Sequence, residues 1–549
     1  MNVVANGFPW LTLAGGLPLF GALVVALLPG GSGGSSPRAS TAGLPADSAA
    51  VDVRTRDSLA KIIALAFSLA TLVVVIIIAV RFRVGGPAFQ FTEQYSWIPQ
   101  FGVHYALGVD GIALVLIAMS AVLMPVVILA GWNDADSGTA RHSVKTYFAL
   151  LLVLETMMIG VFAATDVFLF YVFFEAMLIP MYFLIGSYGV GKRQYAAVKF
   201  LLYSLLGGLL MLVAVIALYV YSVRSPATAH HGSFLFSELI QVSLSPVVQK
   251  WLFLGFFIAF AIKAPLWPFH TWLPDAAASA QPGGAVLLVG VLDKVGTFGM
   301  LRYCFELFPS AARYFTPLVV TLAVIGVIYG AIVAIGQQDL KRLIAYTSIS
   351  HFGFIALGVF VMTSQGVAGA TLYMVNHGFV TGALFLLAGF LITRRGSSLI
   401  SDYGGVQSVA PMLAGLFLVS GLAGLSLPGL STFVSEFLVL LGTFSRYKVP
   451  AVIATAGIIL AAIYILWMYQ RMMNGPVKPS VSTMPDLRAR EVLAVAPLLA
   501  LTVFVGVYPK PVLDIINPAV RTTMSQVHQV DPTPAHPAPG YAAQNGVAP

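Results

Sequence analysis

The chain has 549 residues, 58% of them hydrophobic and 9% charged, with a mean hydropathy of +0.90; such a composition cannot clothe a soluble domain in a wettable surface. The formal net charge of +8 does not point to nucleic acid, because Lys and Arg stand singly and in pairs between apolar runs, without a dense basic tract. The single cysteine, Cys304, excludes an internal disulfide and any cysteine-ligated zinc or iron-sulfur site in this chain, and reads as an apolar space-filler.

A bilayer core takes about 20 apolar residues per helix. Fourteen such runs follow in order: 9-29, 59-80, 111-131, 144-163, 166-188, 195-222, 250-272, 283-305, 317-336, 342-363, 366-393, 409-444 (broken by proline), 451-473 and 489-508. Long continuous runs predict an all-α polytopic membrane protein and not a β-barrel of alternating ten-residue strands. The first run lacks a basic leader and a small-residue cleavage site, so it reads as a retained helix. After it, GGSGGSSPRASTAGLPADSAA is a flexible loop by composition, and FQFTEQYSWIPQFGVHYALGVDG between helices 2 and 3 alternates as a β-hairpin. The end, DPTPAHPAPGYAAQNGVAP, reads as a disordered tail. No phosphate-binding loop, dinucleotide fingerprint or C-x-x-C occurs, so no ATP, nicotinamide or redox site is evident.

The charge distribution gives a topology. Loops after odd-numbered helices hold 17 of the 29 Lys and Arg, and loops after even-numbered helices with the C-terminal tail hold 10. The positive-inside rule then places the odd loops in the cytoplasm and both termini outside. The two cations left inside helices are Lys263 and Lys294. The runs also retain Glu155, Glu175, Asp293 and Glu436, with His351 and His377 near mid-run. A charge at a helix centre costs about 2.5 to 3.5 kcal/mol on insertion scales, so each needs a partner, water or a function. For Glu155 a protonated carboxyl bonded to a neighbouring helix would suffice. Asp293 and Lys294, adjacent on a helix, point about 100° apart and need not pair, which favours tuning or structure for Asp293. The two histidines could simply bond across helices, but imidazole titrates near neutrality and suits a relay.

Lys263 lies in FLGFFIAFAIKAPLWPFH. Pro265 cannot donate to the Ala261 carbonyl, nor Pro268 to that of Ala264, so helix 7 must bend or open beside the ammonium and admit water. An acidic partner about 4 Å away would contribute roughly 4 kcal/mol at an effective dielectric near 20, and Glu175 is the candidate; its movement would let Lys263 release a proton. A second break, at Pro428 and Gly429, interrupts helix 12 shortly before Glu436. Counting helices 4 to 8 and 9 to 13 as units, each break falls on the fourth member, the pattern of a transporter built from two inverted five-helix repeats. The expected divisions are 1-143 (helices 1 to 3, loop and hairpin), 144-308 and 317-473 (the two repeats), and 474-549 (helix 14 and tail).

LGVDGIAL, FFEAMLIPMYFLIG, IKAPLWPFHTWLPDA, LKRLIAYTSISHFGF, NHGFVTGALFLLAG and LPGLSTFVSEFLVLLGTF, in that order over about residues 100 to 510, resemble the antiporter-like membrane subunits of respiratory complex I, of the chain M (mitochondrial subunit 4) type. The resemblance implies a proton-translocating subunit of a bacterial NADH:quinone oxidoreductase. In that family Glu175 pairs with Lys263, and Lys294, His351 and His377 continue a hydrated axis to Glu436, with His270 beside the break in support. It implies no cofactor in this chain, with FMN, iron-sulfur clusters and quinone in other subunits. It also implies chains L and N and lipid as neighbours, and the bacterial inner membrane as location. Sodium/proton antiporter subunits and related membrane-bound hydrogenase complexes are the alternative, since they share the fold and some of the charges. The chain departs from the pattern LPDAHxEAP, reading LPDAAASAQP with Ala277 and Ser279 where His and Glu are common, and Asp293 stands where an apolar residue usually precedes the helix 8 lysine.

Overall fold

A computed structural model describes residues 7–28, 46–136 and 143–533. Among these, thirteen helices are long and apolar enough to cross a membrane. In chain order helices 1 to 4 are Trp10–Leu27, Ala46–Arg81, Gly111–Ala130 and Val144–Ala163. Helices 5 to 8 are Val167–Tyr188, Arg193–Arg224, Pro246–Lys263 and Pro282–Phe305, and helices 9 to 11 are Pro309–Ile335, Leu340–Phe360 and Ser364–Arg395. Helices 13 and 14 are Lys448–Met473 and Ala489–Val507. At the place expected of helix 12 lie two shorter helices, Pro411–Gly424 and Ser431–Arg446, each below the length of the thirteen.

Side-chain caps start several of these helices by accepting from otherwise unsatisfied first-turn N–H groups. Asp110 accepts from Ala113 N (2.8 Å) at helix 3, Asp166 from Phe168 N and Leu169 N (both 2.9 Å) at helix 5, and Asp339 from Arg342 N (2.9 Å) at helix 10. The predicted hairpin is present: β1 (Gln90–Ile98) pairs antiparallel with β2 (Val103–Val109). It does more than cover a loop, because Glu93 of β1 is buried and accepts from Leu11 N (2.7 Å) and Thr12 N at the start of helix 1.

Burial is uneven, and this locates the interior. The most apolar window of helix 8 is wholly buried and those of helices 10 and 11 are 94% buried, against 33% for helices 1 and 13. Helices 8, 10 and 11 therefore form a core shielded from lipid. Glycines allow the close approach: a Cβ on Gly330 of helix 9 would stand 2.6 Å from Ser350 N of helix 10.

Four expectations are corrected. Helix 2 starts at Ala46, so the last residues of the predicted flexible loop are helical; the remainder of that loop lies outside the described residues. Lys510–Gln526 is an amphipathic helix, burying Ile516, Val520, Thr523 and Met524, where only a tail was expected; the rest of the tail expectation, from 534 on, lies outside the described residues. Helix 7 ends at Lys263, with its far half reduced to Leu273–Ser279. Lys263 and Lys294 are not the only cations within helices: Lys61, Lys199, Arg302 and Lys341 also lie there, near helix ends where they reach partners. Lys61 pairs with Asp136 (2.6 Å), Lys199 with Asp275 (2.7 Å) and Arg302 with Asp110 (2.6 Å), and Lys341 donates to the Ala280 carbonyl (3.1 Å).

Candidate proton-conducting site

The structure brings the mid-membrane ionisable groups of helices 8, 10, 11 and 12 into a buried line and leaves Lys263 at one side of it. In helix 8, the segments Leu288–Leu292 and Met300–Phe305 are wound as π-helix on either side of Asp293–Gly299. Widened turns of this kind loosen the regular ladder and are frequent at functional positions. Lys294 donates to the Val289 carbonyl within the first of them, and its Nζ lies 2.7 Å from His377 Nδ1 of helix 11. The His377 ring meets His351 of helix 10 edge-on, centroids 5.2 Å apart. His351 Nε2 is 3.4 Å from the hydroxyl of Tyr464 on helix 13, and its ring is 5.7 Å from that of Tyr373.

Glu436 follows. Its buried carboxyl acts electrostatically on both tyrosines, and the Ser426 hydroxyl in the helix 12 break faces it. Lys294, His377, His351, Tyr464 or Tyr373, and Glu436 thus form a sequence of polar groups through a largely apolar core. The two tyrosines and Ser426 were not singled out by sequence; a hydroxyl in an apolar run is common enough to carry no signal alone.

Lys263 differs from Lys294 in having no hydrogen-bond partner among the described residues. Its ammonium rests 5.0 Å from the centroid of Phe174 and 5.7 Å from that of Phe200, contacts that favour a cation over an aromatic face. Glu175, the expected partner, makes no ion pair with it here among the described residues: its half-buried carboxylate is pressed against Gly208 of helix 6, and Oε1 has no hydrogen-bond partner. The two still act on each other electrostatically. Glu175 stands at an interruption that sequence reading did not identify, at Met177, which divides helix 5 into Val167–Ala176 and Leu178–Tyr188. Pro180 was the available signal, since it cannot donate to the Ala176 carbonyl.

The break after Lys263 is more closed than two prolines suggest. Leu266 N donates to the Ala261 carbonyl (2.9 Å), so that carbonyl is not free for water, and Trp272 Nε1 donates to Ile262 O (2.9 Å). Pro265 and Pro268 do end the helix, as Pro428 does in helix 12, where the break runs over 425–430. His270 lies beside the break but turns to Tyr329 (Nε2 to hydroxyl, 3.3 Å), away from the line of lysines and histidines. Glu155 in helix 4 is fully buried, and among the described residues neither of its oxygens has a hydrogen-bond partner and no charge acts on it. Asp293 is also fully buried and unpartnered, but within electrostatic reach of both Lys294 and Lys263.

A polar recess of about 300 Å³ opens where helix 8 begins, lined by Asp134, Pro282, Arg394, Arg490 and Glu491 among others. Arg394 holds Glu491 at 2.5 Å there. Burial pushes the Asp134 carboxyl, in the turn after helix 3, up to about 6. The Gly283 N–H and the positive charges of Arg490 and Lys341 act in the opposite direction.

Comparison with known proteins fits this geometry. Residues 164–463 match the family described as NADH:quinone oxidoreductase/Mrp antiporter, TM. The chain is 53% identical over 571 residues to NADH-quinone oxidoreductase subunit M of Mycobacterium tuberculosis (strain H37Rv), covering 98% of each. It is 41% identical to the subunit M of Rhodobacter capsulatus, covering 93% of this chain and 96% of that one. In three dimensions it superposes on a chain of respiratory complex I from Thermus thermophilus with a TM-score of 0.81 and 31% identity, over 94% of this chain and 99% of the other. The chain belongs to the subunit M family of NADH-quinone oxidoreductases, within the wider proton-antiporter membrane family.

Proposed function

We propose that this chain is the proton-translocating, antiporter-like subunit of a bacterial NADH:quinone oxidoreductase. In this reading it moves protons across the inner membrane in response to quinone reduction elsewhere in the complex. The observation that carries it is the buried line from Lys294 through His377 and His351 to Glu436, in helices withdrawn from lipid. Each member can bind and release a proton, and ionisable groups facing a bundle interior mark ion pathways. Glu175 and Lys263 act as the switch: with Glu175 held against Gly208 the ammonium rests on aromatic faces without an ion pair, and a swing of the carboxylate toward it would hold the proton on Lys263 more firmly. Lys294, His377 and His351 carry the proton, and Glu436 passes it outward. The recess at the start of helix 8 supports water access on the opposite side.

The two broken helices support two inverted five-helix repeats, over 144-308 and 317-473, with both termini outside. Coupling energy reaches the chain by conformational and electrostatic change in adjoining subunits, chains L and N on either side. Flavin, iron-sulfur clusters and quinone belong to other members of the complex. Lys263→Ala, assayed in membrane vesicles, should lower the proton-to-electron ratio while leaving NADH oxidation by an artificial acceptor near normal. An unchanged ratio overturns the assignment. A second reading, a sodium/proton antiporter subunit, is favoured only by the family description, which includes Mrp antiporters. Sodium-dependent growth at alkaline pH without a co-purifying flavoprotein would select it.

A further inference from the structure

Among the described residues Asp293 is the one buried carboxylate that acts on both lysines. The packing of helix 8 explains how. Gly296 and Gly299 lie directly on the end of helix 7: a Cβ on Gly296 would stand 2.6 Å from Ala264 N, and one on Gly299 would meet the Phe260 ring. Asp293, three residues before Gly296, shares that face and is therefore turned to the level of Lys263. Lys294, about 100° further round, is turned instead to helix 11 and His377. Two consecutive residues thus face two different neighbours, helix 7 and helix 11, from a helix loosened by π-turns before and after them. Both Asp293 oxygens are buried without a hydrogen-bond partner, an expensive arrangement for a group whose only role is to fill space.

Resting on the proton-translocating reading above, we propose that Asp293 is a proton-carrying residue that joins the helix 7 break to the central line. Lys263 loses a proton as an O–H bond forms on Asp293; that bond then breaks as Lys294, having given its own proton to His377, becomes an ammonium again. Lys263 then regains a proton by way of the half-buried Glu175, so one proton enters at Lys263, one leaves to His377, and the three groups return to their starting state. No hydrogen bond joins the Asp293 carboxyl to either lysine, so transfer passes through an intervening water or follows a side-chain rotation. The charged groups that act on it are Lys294 on its own helix and Lys263 of helix 7; Glu175 of helix 5 acts on Lys263, and His377 of helix 11 meets Lys294.

The test uses the whole complex in sealed vesicles, measuring proton-to-electron ratio from about pH 6 to 8 for Asp293→Asn, Asp293→Glu and Lys263→Ala. Proton relay predicts that Asp293→Asn cuts the proton flux through this subunit about tenfold or more at every pH, and that Asp293→Glu restores most of it. A normal ratio in Asp293→Asn overturns the proposal. So does a loss that disappears at the acidic end, because acid would reprotonate the lysines but could not replace a missing carrier. A failure of Asp293→Glu to restore flux in fully assembled complex also counts against it. If Lys263→Ala lowers the ratio while Asp293→Asn does not, this inference alone fails; if both are normal, the functional reading fails with it.

Discussion

The two broken helices close their breaks in the same way and then use them differently. In helix 7, Ala264 N donates to Phe260 O, Leu266 N to Ala261 O, and Phe269 N to Leu266 O; in helix 12, Leu425 N donates to Gly421 O, Leu427 N to Leu422 O, and Leu430 N to Leu427 O. These three bonds recur at the same offsets, and helix 12 adds one from Ser426 N to Ala423 O (3.0 Å) that Pro265 cannot make at the matching place in helix 7. One more carbonyl in the last turn is capped from beyond the break in each, Ile262 O by the Trp272 indole and Ala423 O by the Thr432 hydroxyl. The backbone problem of stopping a helix inside a membrane, unsatisfied carbonyls with no water to meet them, thus has one solution here, reached with different side chains. The last helical residue of the first half is Lys263 in one case and Gly424 in the other. A cation there gains from the negative end of the helix dipole. Where the glycine stands, the Gly424 carbonyl instead faces the His351 ring. Twelve residues past that point each chain segment has an acid (263 to 275, 424 to 436). Asp275 is clamped by Lys199 and Arg342, both at 2.7 Å, whereas Glu436 is buried without an ion-pair partner among the described residues. One break presents a base with its acid neutralised at the rim; the other presents an acid with no base.

That contrast predicts which residue matters at which break. The largest effect is expected at Glu436: Glu436→Gln keeps size and hydrogen bonding to Ser426 but cannot ionise, and should lower proton flux through this subunit about tenfold or more, with Glu436→Asp partly active. Asp275→Asn removes the equivalent acid at the other break and should change flux far less, since its charge is spent on Lys199 and Arg342. Equal losses in the two variants, measured as proton-to-electron ratio in vesicles, would show that the breaks are used alike. A smaller and structural effect tests the shared solution. Trp272→Phe leaves the buried Ile262 carbonyl without its donor, at a cost of about 1 to 3 kcal/mol, whereas after Thr432→Val the Ala423 carbonyl still accepts from Ser426 N (3.0 Å) and the cost should be smaller; both are read as a lower midpoint for thermal dissociation of the purified complex. If Thr432→Val lowers it as much as Trp272→Phe, the Ser426 bond does not share the load at the helix 12 break.

The breaks were legible because proline leaves a local mark: Pro265, Pro268 and Pro428 each remove a donor, and an ionisable residue in an apolar run stands near each. The membrane class, the hairpin at 90–109 and the sequence of crossings follow from run length and alternation alone. What was not legible depends on partners distant in the chain. The Ala261 carbonyl looked free because Leu266 N, five residues on, bonds to it only once the turn widens. Arg302 and Lys341 looked like loop residues because their escape routes, Asp110 and the Ala280 carbonyl, come from other helices. Glu175 and Lys263 appeared as a pair by type, but the carboxylate lies against Gly208, a position fixed by the crossing of helices 5 and 6. The line through Tyr464 and Tyr373 to Glu436 needs helices 10, 11, 12 and 13 in register, which no single segment encodes.

The smallest effect is expected at the cap that carries helix 5, and with it Glu175 and Phe174, into the first break. Asp166 accepts from His104 N, Phe168 N and Leu169 N, all at 2.9 Å. Burial nevertheless pushes its carboxyl up to about 6, because loss of hydration outweighs those three bonds. A value above that of the unfolded chain means that the folded state holds the proton more tightly. The residue's contribution to stability is therefore fully present below about pH 4 and is lost as pH rises through about 6. Asp166→Asn keeps an acceptor for the N–H groups and cannot ionise, so it should flatten the pH dependence of the dissociation midpoint over that window and leave the midpoint at neutral pH unchanged or raised. Asp166→Ala removes the acceptor and should cost about 1 kcal/mol. The first half of helix 12 is capped by a different carboxylate, Asp486, which accepts from Met412 N and Leu413 N (both 2.9 Å), so proton flux measured at Glu436 should not respond to either change. A pH slope that survives in Asp166→Asn would assign the titration to another group, and the cap would then contribute geometry alone.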